Sequence, residues 1–127
     1  MRIAFDVSPL VRPHPRGVVR VVSELTSELE RRGVLEVLRL SPEPGEPLRA
    51  WRRRTLPARA QAAGCPGIHS FVSALPLWTS LARVETIHEL PWRHGVRENA
   101  DLRHRAWAAL GPLLAERVCV PSEFVAR

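Results

Sequence analysis

Two hydrophobic rhythms take turns along this chain. Ile3-Ala4-Phe5-Asp6-Val7 is an apolar run of strand length with one carboxylate inside it. From Val18 the period changes. Val18, Val21, Val22, Leu25 and Leu29 follow the i, i+3/i+4, i+7 spacing of one helical stripe, while Glu24, Glu28, Arg31 and Arg32 fall on the opposite face. The pattern predicts a helix over 18–32, entered just after Gly17 and stopped by Gly33. Strand rhythm then returns in Glu36–Leu40, Ile68–Phe71, Val84–His88 and Arg117–Val120.

Between these strands the helical period reappears twice. Leu48–Ala63 reads as a second helix, interrupted or shifted by Pro57, and it follows a proline-rich loop over Ser41–Pro47. A third helix, capped by Asn99 or Asp101, is expected to bury Leu102, Ala106, Ala109, Leu110, Leu113 and Leu114, with Gly111-Pro112 kinking or splitting it. Leu75-Pro76-Leu77-Trp78 is apolar but proline-bearing, and reads as a loop packed down on the sheet. Pro121-Ser122-Glu123 opens a further helix close to Arg127, which suggests an incomplete unit.

Strands alternating with helices imply one α/β domain over residues 1–127, a mostly parallel sheet with helices on both faces. Right-handed crossovers would bring Asp6–Leu10, His69, His88-Glu89 and Ser122-Glu123 to one edge of that sheet. A strand feeding a helix N-terminus favours anionic or sugar ligands there, because free backbone N–H groups and the helix dipole point into the pocket. Gly17 would let backbone approach such a ligand closely.

Composition narrows the classes. The net charge is +6, yet all 19 basic residues are arginine, with no lysine or tyrosine. That bias is how a GC-rich genome writes a protein, so a nucleic-acid partner is not expected. Cys65 and Cys119 fit no metal or disulfide framework, Cys119 reading as part of a core strand. His14, His94 and His104 lack metal-site spacing, so no metal is expected. Met1-Arg2 leads directly into a strand, no run approaches a membrane span, and a cytoplasmic location is the expectation.

Four motifs then stand in order: MRIAFDVSPL followed by RGVVRVVSELTSELERRG, GIHSF, VETIHELPW and RVCVPSEFVAR. Through them the chain resembles the N-terminal domain of retaining family 4 glycosyltransferases, the acceptor-side half of the two-domain GT-B architecture, over essentially its whole length. The resemblance implies a Rossmann-like domain that binds a saccharide or lipid-linked acceptor and closes over a nucleotide-sugar donor. That donor is a co-substrate of the full enzyme, and no cofactor is implied. His88 would be the catalytic residue near the transferred sugar. Arg16, Gly17, His69, Glu89, Ser122 and Glu123 would line the cleft. Catalysis would rest on positioning and on stabilising the leaving phosphate. The chain departs from the family in having Arg16-Gly17 where a glycine pair is usual and His88-Glu89 where His-Asp is frequent. Nothing in it corresponds to the C-terminal donor-binding domain, so the chain alone should be inactive. The rivals are a non-enzymatic glycan-binding module, a subunit of a split glycosyltransferase, or a flavodoxin-like or receiver-like domain. A receiver needs clustered acidic residues at its strand ends, and Asp6 has no acidic neighbour.

Several residues carry a plainer reading as well. His88 contacts ligand or bonds a neighbouring loop carbonyl, and Asp6 is expected to orient the first loop through backbone N–H groups. The segment around Trp51-Arg52-Arg53-Arg54 is a solvated basic helix face, a peripheral contact with anionic lipid at the inner face of the membrane with Leu48, Trp51 and Leu56 inserting, or, least of the three, a contact with nucleic acid. A domain face left without its partner half, bearing Trp78 or Trp92, predicts self-association.

Overall fold

The computed structural model describes residues 1–72, 75–89 and 102–126. The strands are β1 (Arg2–Asp6), β2 (Glu36–Leu40), β3 (Gly67–Ser70), β4 (Ala82–Thr86) and β5 (Arg117–Cys119). They form one all-parallel sheet in the order β2-β1-β3-β4-β5. The helices are α1 (Arg16–Arg32), α2 (Leu48–Ala50), α3 (Leu56–Ala62), α4 (Leu102–Leu114) and α5 (Glu123–Ala126). Helices flank both faces, a Rossmann-like α/β arrangement that agrees with the fold class expected from sequence.

The pleat sorts side chains between two cores. Ile3, Phe5 and Val37 point to the face covered by α1, where Val18, Val21, Val22, Leu25 and Leu29 pack against them with Val7 and Phe71. Ala4, Leu38, Leu40 and Ile68 point to the other face, under Trp51, Leu56 and Ala60. Burial of these apolar side chains contributes about 1.5–3 kcal/mol each and fixes the strand register, since a one-residue slip would exchange the faces. Gly33 ends α1 in a left-handed conformation (φ 63°), its N–H bonding the Leu29 and Glu30 carbonyls.

Pro57 shifts the register of its helix, as expected, without ending it. α2 runs into a π-helical segment, Trp51–Thr55, and then directly into α3. A proline offers no N–H to the carbonyl four residues back and its ring presses on that turn. The π segment widens the turn just before it, with the Leu56 N–H bonding the Trp51 carbonyl, and the axis continues.

Other expectations need correction. α1 starts at Arg16, so Gly17 lies inside its first turn rather than ahead of it. α4 presents the opposite side to the one expected. Leu102, Ala106, Ala109, Leu110 and Leu113 are exposed, while Trp107, Ala108 and Leu114 are partly covered and Gly111 is buried. Gly111 backs onto Glu85 of β4, and a residue without a side chain is what that approach admits. Pro112 stays inside the helix. β5 is exposed along its length, so Cys119 is not a core residue, whereas Cys65 is buried. Leu75 and Pro76 are buried as expected, but Trp78 is 82% exposed. The expected caps Asn99 and Asp101, and Trp92, lie outside the described residues. Among the described residues no helix is long and apolar enough to cross a membrane.

Candidate functional site

The strand order reverses between β1 and β3, and open α/β sheets bind ligands outside the carboxyl ends of the strands at such a point. The first residue there is Asp6, fully buried on the α3 face. Its Oδ1 accepts the Ser8 backbone N–H at 2.9 Å, which turns the chain from β1 into a short 3-10 helix, Ser8–Leu10. Its Oδ2 accepts Arg52 Nε at 3.0 Å, and Arg52 Nη2 donates to Ser8 Oγ at 2.9 Å. The Arg52 side chain is only 12% exposed. One guanidinium fork therefore ties the end of β1 to the π segment.

This arrangement bears on the lipid-contact expectation for Trp51–Arg54. Trp51 and Leu56 are fully buried in the sheet core, so neither is available to insert into lipid, and Arg52 is committed to Asp6. Arg53 and Arg54 remain exposed.

On the α1 face, β3 and β4 bring two histidines together. His69 is buried, shares a 2.8 Å hydrogen bond with Thr86 Oγ1, and stacks on Phe71 with ring centroids 4.6 Å apart. Burial, reinforced by the neighbouring His88, pulls its pKa down to about 4, so it is neutral near pH 7. His88, half-buried at the end of β4, places Nε2 2.8 Å from the Phe71 carbonyl. A carbonyl only accepts, so Nε2 carries the proton and Nδ1 is left as an acceptor in the neutral ring. Burial lowers the His88 pKa, against the opposing pull of the Phe71 carbonyl and the Glu89 carboxylate. Glu89 is exposed beside it.

The remaining expected residues are all exposed. Arg16 and Gly17 are exposed at the start of α1, and no hydrogen bond or ion pair joins them to His69 or His88 among the described residues. A Cβ at Gly17 would meet open space. Ser122 and Glu123 are exposed where β5 passes into α5, Glu123 in its first turn. The structure thus joins His69, His88 and Glu89; Ser122 and Glu123 follow β5 at the same carboxyl edge, beside the end of β4, and Arg16 and Gly17 open α1, which follows β1.

Two functional candidates escaped the sequence reading. Arg52 reads as one of a run of solvated cations, and only the π turn aims it at Asp6. Glu85 reads as a polar position in an alternating strand. In the fold it is fully buried on the α3 face, directly across from Ser70 of β3, and among the described residues neither its carboxylate oxygens nor Ser70 Oγ has a hydrogen-bond partner. Burial raises its pKa to about 7. A carboxyl poised there is able to exchange a proton near neutrality, a property enriched at functional sites. Among the described residues no group of three His, Cys, Asp or Glu side chains is placed to hold a metal ion. Compared with known proteins, the chain matches no family, no curated protein and no solved structure.

Proposed function

We propose that this domain is the acceptor-side half of a glycosyltransferase, which uses a nucleotide-sugar donor held by a separate donor-binding domain and acts on a saccharide or lipid-linked hydroxyl. The observation that carries the reading is His88. It stands at the carboxyl end of a central parallel strand, where open α/β sheets bind ligands, anchored through Nε2–H with Nδ1 left to accept a hydroxyl proton. His69, neutral and stacked on Phe71, positions the ring from behind the Phe71 backbone, and Glu89 supports positive charge on it. Ser122 and Glu123 line the cleft beside His88, and Arg16 and Gly17 approach the ligand when the second domain closes. The chain alone is inactive, because half of the cleft and the donor site lie elsewhere. The exposed leucines of α4 and the exposed Trp78 favour self-association until a partner covers them.

The test pairs binding with chemistry. Amide shift mapping with a panel of mono- and disaccharides is expected to move signals over residues 69–72 and 86–89, and His88→Ala to abolish those shifts. Incubation with UDP-glucose or GDP-mannose and the same saccharides is expected to yield no product. Transfer by the pure chain would overturn the proposal of a half-site. Saccharide binding without any complementing donor domain in the source cells would leave the glycan-binding module instead.

A further inference from the structure

We infer that the groove between the arginine-bearing helix and α4 is a binding site for an aliphatic phosphate ester. The groove has a volume of about 600 Å3, within the range of small-molecule sites. Its walls are Leu48, Leu75, Leu77 and Trp107, and its charges are Arg49, Arg52 and Arg53. Arg49 and Arg53 also border a neighbouring hollow of about 630 Å3 with Arg54 and Trp78.

Arg49 and Arg53 share with Arg16, Arg54 and Arg105 the lack of a side-chain or backbone partner among the described residues, and of these five they alone line this groove. Arg20 bonds Glu24, Arg31 and Arg32 share Glu28, and Arg39 holds Glu30. Arg52 is neutralised by Asp6. Arg49 and Arg53 have no carboxylate, hydroxyl or carbonyl partner among the described residues, although both line one cavity. Two uncompensated guanidinium groups match the charge of about −1.5 to −2 on a phosphate monoester at neutral pH. A fatty carboxylate would satisfy only one of them.

The rest of the lining fixes the other end of the ligand. Arginine and tryptophan side chains donate hydrogen bonds and accept none, and the three leucines do neither. A sugar or nucleoside would bring hydroxyl or amino donors that no side chain lining the groove accepts among the described residues, at the cost of leaving them unpaired. A hydrocarbon body leaves no such group, and Trp107 with the leucines gives it an apolar wall. The site is on the α3 face, whereas His69 and His88 are on the α1 face, so this inference does not rest on the acceptor reading.

Titration calorimetry tests it, with decyl phosphate kept below its micelle threshold and with inorganic phosphate, decanoate and uridine monophosphate as the other probes. Saturable one-to-one binding of decyl phosphate is expected, at least tenfold tighter than each of the others. The double variant R49Q/R53Q, altered only at exposed side chains, is expected to weaken it at least tenfold. R20Q, on the far side of the molecule, should leave it unchanged. Equal binding of inorganic phosphate, decanoate or uridine monophosphate would overturn the inference, as would an unaltered affinity in R49Q/R53Q. Association only with phosphatidylglycerol vesicles, and not with soluble decyl phosphate, would also overturn it and point to a membrane surface.

Discussion

The two faces of the sheet treat buried polar groups differently. On the α1 face each one described is bonded: Thr26 to the Val22 carbonyl, His69 to Thr86, His88 to the Phe71 carbonyl. On the α3 face Asp6 is fully paired by Arg52 and Ser8, but Ser70 and Glu85, next in line across β3 and β4, are not. The difference follows from what covers each face. α1 is a regular amphipathic helix whose stripe meets the sheet without irregularity. The α3 face is covered by a helix with a π turn, a proline-bearing loop and a helix containing Gly111-Pro112. Unpaired buried groups are expensive in an interior of low polarity, so they persist where a fold stores reactivity or a titratable switch.

Removing the one strong pairing on the α3 face should produce the largest effect. Arg52→Ala leaves the Asp6 carboxylate buried and unpaired, with a loss of about 3–5 kcal/mol in chemical denaturation. Arg53→Ala, one residue along and exposed, should stay within about 0.5 kcal/mol.

The two faces also oppose each other in pH dependence. With a pKa of about 7 in the fold against 4.5 ordinarily, Glu85 holds its proton more tightly when folded. Its contribution is complete below pH 4.5 and is lost as pH rises to 7. His69, lowered to about 4 from 6.5, contributes in the other sense, and its stability is lost as pH falls from 6.5 towards 4. E85Q removes one slope and exposes the other. It should gain about 2 kcal/mol at pH 8, match the parent at pH 4.5, and lose stability more steeply on acidification between 6.5 and 4.5. Denaturant midpoints across that range measure it; a parallel pair of curves would break the contrast.

Smaller effects sharpen the comparison. A Cβ at Gly111 would collide with Glu85 Oε2, so Gly111→Ala should cost about 1–2 kcal/mol. In an E85A background that cost should disappear, a coupling that a double-mutant cycle reads directly. On the α1 face Thr86→Val leaves His69 Nε2 without its partner and should cost about 1 kcal/mol, with no steric component.

Much of this was readable beforehand where local and global preferences agree. The α1 stripe, its Gly33 stop and the strand runs each follow from period and turn chemistry, and the parallel sheet follows from their alternation. The buried side of α4 is not legible in the sequence, because its leucines and alanines fit a helical stripe on more than one side. What selects the side is the approach of Gly111 to Glu85, a contact between residues 26 positions apart. Asp6 was readable as an organiser of the first loop, since a carboxylate two residues before an N–H needs no distant partner. The candidate site was less so. His88 and Glu89 are neighbours in sequence, but the Phe71 carbonyl that fixes the His88 tautomer comes from the residue just past β3, 17 positions away.

The sequence by itself determined the elements, the parallel sheet and which strand ends gather at one edge, because period, glycine stops and crossover handedness are local or nearly local. Tertiary structure alone decided that Trp51 is core, that Arg52 neutralises Asp6, that Arg49 and Arg53 remain unpaired beside an apolar groove, and that Glu85 lies buried without a partner. Those outcomes depend on where a π turn rotates a run of four residues and on which helix approaches which strand, and neither is set within any window of the chain.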